Sequence, residues 1–138
     1  MANYTITTAN VAIAESNARA TVIQVGEAVA EGAAVYLDTT TSKFMLADAT
    51  TATKAAVVGI VISPAALDGY ALMQTSRKYI AGTTLVAGDP VYLSATAGGG
   101  NLCPHADLIA TNYVTLIGHA VSTTEIKLDL ILTGVAVA

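Results

Sequence analysis

Very little of this chain is charged or aromatic. Of its 138 residues 12% are Asp, Glu, Lys or Arg, 5% are aromatic, and there is no Trp. That charged share is about half of what a soluble domain carries, so a surface coated with Thr and Ser, and covered by other proteins, is expected. The single cysteine, Cys103, excludes an intrachain disulfide. A net charge of −4, with Arg77-Lys78 as the only adjacent basic pair, argues against nucleic acid, because phosphate binding needs clustered cations. No Lys- or Arg-led apolar segment opens the chain, so a secretory signal is not expected. The longest uncharged runs, 90–106 and 108–124, contain Gly, Pro, Asn, His and Thr, and neither reads as a membrane span.

What is present is small. Hydrophobic residues make up 54% of the chain, but 27 positions are Ala and 19 are Thr. At roughly 25 cal/mol per Å² of apolar surface, an Ala-rich core gives a limited margin that association with a partner would supplement. The length fits one domain.

The strongest signal is an internal repeat. "VGEAVAEGAAVYLD" (Val25 to Asp38) aligns with "AGTTLVAGDPVYLS" (Ala81 to Ser94), matching Gly26 to Gly82 and Tyr36 to Tyr92 at an offset of 56. "VVGIVIS" then aligns with "LIGHAVS", matching Gly59 to Gly118 at an offset of 59. Three extra residues therefore lie between these anchors in the second copy. They fall around Gly98-Gly99-Gly100, where the first copy has "TTTSKF". A phosphate-cradling glycine loop should lead into a helix, and neither copy supplies one. The triple glycine reads as a hairpin loop of tolerated length variation.

Strand signals dominate both copies. In "EIKLDLIL", Ile126, Leu128 and Leu130 alternate with Lys127 and Asp129, the period of a half-buried antiparallel strand. "GYALMQT" is its weaker counterpart. Gly59 and Gly118 sit inside apolar strand patterns, which points to a bulge or close backbone approach. Val35, Leu37, Val91 and Leu93 are expected on equivalent sides of their strands, with Tyr36 and Tyr92 as core or sheet-edge residues. The fold expected is all-β: a compact antiparallel β-sandwich or barrel of two internal repeats, with an extended N-terminal segment. Residues 22–138 form the β-domain, in halves of about 22–78 and 79–138. Residues 1–21 are either its first strand or an arm. In that segment Tyr4, Ile6 and Thr8 alternate, as do Val11 and Ile13, and Gly and Pro are absent. Such a pattern suits strand addition to a neighbour, with the segment from Ala2 to Ala20 mattering more for attachment than for folding.

Catalytic and cofactor chemistry finds little footing. Cys103-Pro104-His105 with His119 is the one set resembling metal ligands, but its spacing does not pre-position a site. Asp89 before Pro90 reads as a turn carboxylate, and its counterpart is Ala33. Glu27 and Glu31 become Thr83 and Ala87 in the second copy, so a paired-carboxylate site is not repeated. No GxSxG stretch exists. The chain is expected not to be an enzyme, and no catalytic, cofactor or metal residue is assigned.

The phrases "VGEAVAEGAAVYLD", "AVVGIVIS", "AGDPVYLSATAG" and "LIGHAVSTTEIKLDLIL" resemble the small capsid decoration, or cement, proteins of tailed bacteriophages over roughly Val22 to Leu132. Ala33-Ala34 departs from the Asp-Pro turn of that pattern, and His119 interrupts an apolar strand. The resemblance implies a β-domain, often trimeric, on the outer surface of the virion. There it would bind the major capsid protein where subunits meet and lock them together. Tyr4, Ile6, Thr8, Val11, Ile13 and Gly98, Gly99 and Gly100 are the expected contact residues. The alternatives are a head-fibre or receptor- and glycan-binding module, or another virion structural subunit such as a tail protein. No membrane partner is expected.

Overall fold

The alternation around Lys127 and Asp129 builds the longest strand of the molecule. The computed structural model describes residues 3–15, 19–96, 99–108 and 112–136. Its strands are β1 (Ala12–Ile13), β2 (Ala20–Gln24), β3 (Ala34–Asp38), β4 (Lys43–Leu46), β5 (Val57–Ser63) and β6 (Tyr70–Gln74). They are followed by β7 (Arg77–Ile80), β8 (Pro90–Leu93), β9 (Leu102–Pro104), β10 (Tyr113–Ala120) and β11 (Glu125–Ala136). Two antiparallel sheets pack against each other. One has the order β2-β6-β5-β3-β4 and the other β1-β7-β11-β10-β8-β9. The fold is an all-β sandwich.

The first copy supplies the five-stranded sheet and the second copy, with β1 of the N-terminal segment, the six-stranded one, and the turn bonds of the two copies agree. Gly32 N–H donates to Val61 O and Gly88 N–H to Ala120 O, both at 2.7 Å. The return bonds, Val61 N–H to Ala33 O and Ala120 N–H to Asp89 O, are both 2.9 Å. Gly32 and Gly88 share a left-handed backbone, with φ of 86° and 92°, a conformation glycine adopts without steric penalty. β3 meets β5 through Val35↔Gly59 and then shifts register to Tyr36↔Val57. β8 meets β10 through Val91↔Gly118 and shifts in the same place to Tyr92↔Leu116. The strand glycines therefore mark bulges, as their sequence setting suggests.

The side chains do not follow the same symmetry. Val91, Leu93, Ala120 and Ile126 of the second copy face the core between the sheets. The counterparts Val35, Val61 and Met73 face a separate cluster with Ile23, Val25, Val29 and Ala71. The first copy meets the inter-sheet core with its other face, through Ala34, Tyr36, Val57 and Ile60. Successive strand residues point to opposite faces, so one sheet rests on the back of the other. The four side chains keep equivalent sides of their strands and Tyr36 is a core residue, but the surroundings of the two copies differ. Leu37 is 41% exposed while Leu93 is fully buried, and Tyr36 is buried between the sheets while Tyr92 lies half-buried on the outside.

Of the two readings of residues 1–21, first strand or arm, the pairing of the described residues matches the first strand. β1 pairs with β7 through Ala12↔Ile80 and Ile13↔Tyr79. Val11 is buried in the inter-sheet core, and Tyr4 and Ile6 pack against it. Ile6 and Val11 stand against both copies: a Cβ on either Gly32 or Gly82 would lie within 3.4 Å of both side chains.

Candidate functional site

Residues 3–10 lie along the seam between the two copies. Tyr4 N–H donates to Leu102 O at 2.9 Å and Thr7 N–H to Gly82 O at 2.7 Å. Ser94 Oγ donates to Asn3 Oδ1 at 2.5 Å, and Asn3 Nδ2 donates to Thr96 Oγ1 at 2.8 Å. Residues 3–7 have no regular secondary structure, and a 3₁₀ turn at Thr8–Asn10 follows, departing from the strand alternation expected of Tyr4, Ile6 and Thr8. Tyr4, Ile6 and Thr8 line a cleft of about 190 Å³ with 30–33, Gly99, Gly100 and Asn101. Thr5, Thr7 and Asn10 line a wider cleft of about 750 Å³ with Ile80, 82–84 and Thr124.

Five of the eight expected contact residues thus meet around the smaller cleft: Tyr4, Ile6, Thr8, Gly99 and Gly100. Val11 lies beneath it, with its Cγ2 3.4 Å from where a Cβ on Gly32 would stand. Ile13 is elsewhere, on β1 at the edge of the six-stranded sheet. Gly98 lies outside the described residues. The glycine loop is more constrained than its reading as a tolerated insertion implied. Gly100 N–H donates to Ala47 O and its carbonyl accepts from Ala34 N–H, both at 2.9 Å, binding the loop of one copy to the strands of the other. Its φ is 61°, and an added Cβ would stand 2.6 Å from Ala34 O. Glu31 and Asn101 belong to the cleft too. Neither stands out in sequence, because only the N-terminal segment and the glycine loop bring them together.

The titratable groups nearby are shifted away from reactivity. Burial raises the Tyr4 hydroxyl, with further increments from Asp89, Cys103 and Asp107. Burial, reinforced by Asp107, pushes the Cys103 thiol up to about 11, the direction that suppresses a nucleophilic thiolate. The His105 ring meets Tyr92 edge-on at 5.9 Å, and His119 is exposed on β10 opposite Lys127. Among the described residues no group of three His, Cys, Asp or Glu side chains stands together as a metal site. The cations are less scattered than they are in sequence. Arg77, Lys78 and Lys127 share a surface hollow beside Glu15, and Arg19 and Arg77 share the next. Lys78 lies 3.9 Å from Glu15 and 4.0 Å from Glu125, so this corner is partly neutralised.

Fold and site together define a two-sheet β-protein with a seam and, beside it, two clefts lined by hydroxyl, amide and apolar groups. The arrangement offers hydrogen bonding and apolar contact. Comparison with protein-family models, curated proteins and solved structures finds no match.

Proposed function

We propose that this chain is a non-catalytic structural protein of a virion, a capsid decoration protein that seats on the outer face of a phage head. The observation that carries the reading is where the resembling phrases fall. "AGDPVYLS" spans the Gly88 turn and β8, "AVVGIVIS" is β5, and "LIGHAVSTTEIKLDLIL" is β10 and β11. The likeness therefore involves the framework of both sheets rather than one loop. The low share of charged residues supports the same reading. In it the major capsid protein is the partner, the seam around Tyr4, Ile6, Thr8 and Gly99-Gly100 is the contact surface, and the protein associates with itself as a trimer. Many copies on a symmetric shell would stabilise it collectively, by binding only the assembled state. The test is to add purified protein to undecorated phage heads and count bound copies. Hundreds per particle are expected, tracking the capsid subunits; no binding, or a few copies at one vertex, rejects the reading.

A second reading rests on the wider cleft. Thr5, Thr7, Thr83, Thr84, Thr124 and Asn10 supply hydroxyl and amide groups suited to a glycan, as a head-fibre or receptor-binding module would need. Retention on a glycan array, lost in Thr83→Val/Thr124→Val, would favour it.

A further inference from the structure

The chain passes from the first copy to the second at a tight corner. β6 ends at Gln74 in the five-stranded sheet and β7 begins at Arg77 in the six-stranded one, with Thr75 and Ser76 between them. Gln74 is fully buried and holds the corner, its Nε2 donating to Ser76 O at 2.8 Å and to Lys78 O at 2.9 Å. Glu15 Oε2 accepts from Lys78 N–H at 3.0 Å. Between these ties Arg77 takes a left-handed backbone, with φ of 69°. A glycine would make the same corner without strain. Among the described residues the other non-glycine positions with positive φ are Ser42 and Asp68, and only Arg77 carries a long side chain. At the 56-residue offset Arg77 and Lys78 correspond to Thr21 and Val22, so the repeat requires neither cation. Strain kept where glycine would relieve it points to a use for the side chain.

Arg77 lines two hollows that meet at Ser76. One, of about 490 Å³, adds Arg19, Thr21 and Thr75; the other, of about 600 Å³, adds Glu15, Lys78, Lys127 and Leu128. Four of the six Lys and Arg residues of the chain therefore stand at this corner. Lys78 is answered by Glu15 and Glu125, but among the described residues Arg19, Arg77 and Lys127 enter no ion pair. No carboxylate among the described residues lines the hollow of the two arginines, and Asp129, two residues beyond Lys127, lines neither hollow. Planar guanidinium donors together with hydroxyls suit an oxyanion. The eight carboxylates other than Glu15 and Glu125 share the rest of the chain with Lys43 and Lys54 alone. That surrounding negative field opposes a long polyanion and leaves the corner to a compact one.

We propose that the corner at Arg77 binds a compact dianion of the phosphate or sulfate class, free or as the terminal group of a larger ligand. Arg19 and Arg77 supply the charged donors, and Thr21, Thr75 and Ser76 the hydroxyls. The site stands independently of the capsid reading.

Amide chemical shifts of the full chain, followed at constant ionic strength, test it with inorganic phosphate, glycerol phosphate and a short DNA duplex. Both phosphates are expected to move the amides of 19–21 and 75–78 saturably in the millimolar range. The duplex is expected to move none of them at the same concentration of phosphate groups. Tighter binding of glycerol phosphate than of inorganic phosphate assigns the terminal group of a larger ligand; equal binding assigns the free ion. Arg77→Gly keeps the corner and releases its strain, so it should weaken phosphate binding about tenfold while raising the melting temperature. Arg19→Gln should weaken binding comparably with little change in melting. Should Arg77→Gly lose its cooperative melt, Arg77→Asn, which also tolerates the left-handed backbone, takes its place. Three results overturn the proposal: phosphate that moves no amide of the corner, binding unchanged in both arginine variants, or a duplex that binds there as tightly as phosphate. An Arg77→Gly chain that melts lower and still binds phosphate would make the arginine a structural corner residue, and overturns it too.

Discussion

The two sheets share a backbone plan and differ in what they do with it. Turn bonds, left-handed glycines and strand bulges recur at fixed offsets. Yet the face that the second copy turns to the shared core is the face that the first copy closes over its own cluster of Val25, Val29 and Val61. A repeat therefore preserves hydrogen-bond register, which the main chain enforces, while the burial of each face depends on what lies against it. The first sheet covers that face with its own loop. The second needs the back of the first sheet and the N-terminal segment as well.

The largest expected effect follows from that asymmetry. Removing residues 1–11 takes Val11, Tyr4 and Ile6 from the shared core and leaves the cluster of the first sheet untouched. Burial of such side chains contributes about 1.5–3 kcal/mol each when complete, against a total stability of about 5–15 kcal/mol. The truncated chain should lose its cooperative thermal transition and bind hydrophobic dye. A truncated chain that melts like the full one would restore the detachable arm and undo the asymmetry.

The paired tyrosines test the inversion directly. Tyr36→Ala opens the inter-sheet core and should cost about 3–5 kcal/mol, in the range for removing a buried aromatic side chain. Tyr92→Ala, on the half-buried outer side, should cost about 1 kcal/mol. Urea denaturation of both variants measures the gap, and equal losses would contradict the opposite facing of the two strands.

The bulge glycines sharpen the comparison further. A Cβ on Gly118 would collide with the carbonyl of Lys127, which is main chain of the adjacent strand. On Gly59 it would stand 2.5 Å from Met73 Cγ and 2.8 Å from Gln74 O, with the flexible methionine as the nearer obstacle. Overpacking costs about 1–3 kcal/mol and occasionally more, so Gly118→Ala should lie at or above the top of that range and Gly59→Ala near its middle. Equal melting temperatures for the two variants would show that the bulges have equal slack.

How much of this was legible in sequence depends on which link is asked about. The repeat phrases, the bulge glycines and the alternation of Ile126 and Leu128 with Lys127 were readable, because they follow main-chain rules that act locally. The facing of the first sheet was not. Val35-Tyr36-Leu37 and Val91-Tyr92-Leu93 are the same tripeptide, and nothing within them says which side meets the other sheet. "GYALMQT" was weak for a related reason. Its buried residues are Ala71, Met73 and the polar Gln74, while the larger Tyr70 and Leu72 are exposed. The cleft was half legible: alternation singled out Tyr4, Ile6 and Thr8, but the grip on Gly100 depends on Ala34 and Ala47, far off in sequence.

A smaller effect lies at Tyr79, whose counterpart at the 56-residue offset is Ile23. Both are buried, but the Tyr79 hydroxyl has no hydrogen-bond partner among the described residues. An unpartnered buried polar group carries a desolvation penalty, so Tyr79→Phe should stabilise the protein by about 1 kcal/mol. A loss of stability in denaturant titration would reveal a partner for that oxygen.

The smallest effect at neutral pH becomes visible only in alkali, and it too belongs to one half. Met45 pairs with Tyr36 and Cys103 with Tyr92, so a thioether and a thiol occupy equivalent places. The Cys103 thiol ionises at about 11 in the folded chain against 9.0 ordinarily, burial being the main cause. Below pH 9.0 folded and unfolded chains both hold the proton, and the group adds no pH dependence. Between 9.0 and about 11 the unfolded thiol has released its proton while the folded one retains it. The unfolded state then binds fewer protons, and stability falls as pH rises. Burial raises the Tyr79 hydroxyl as well, so wild type alone does not isolate the thiol. The informative quantity is the difference in slope between wild type and Cys103→Ala, measured as melting temperature against pH across that window. The variant should decline less steeply, whatever its stability at neutral pH. Parallel slopes would mean that the thiol is reached by solvent before the fold opens, and that the second half is looser around β9 than its packing indicates.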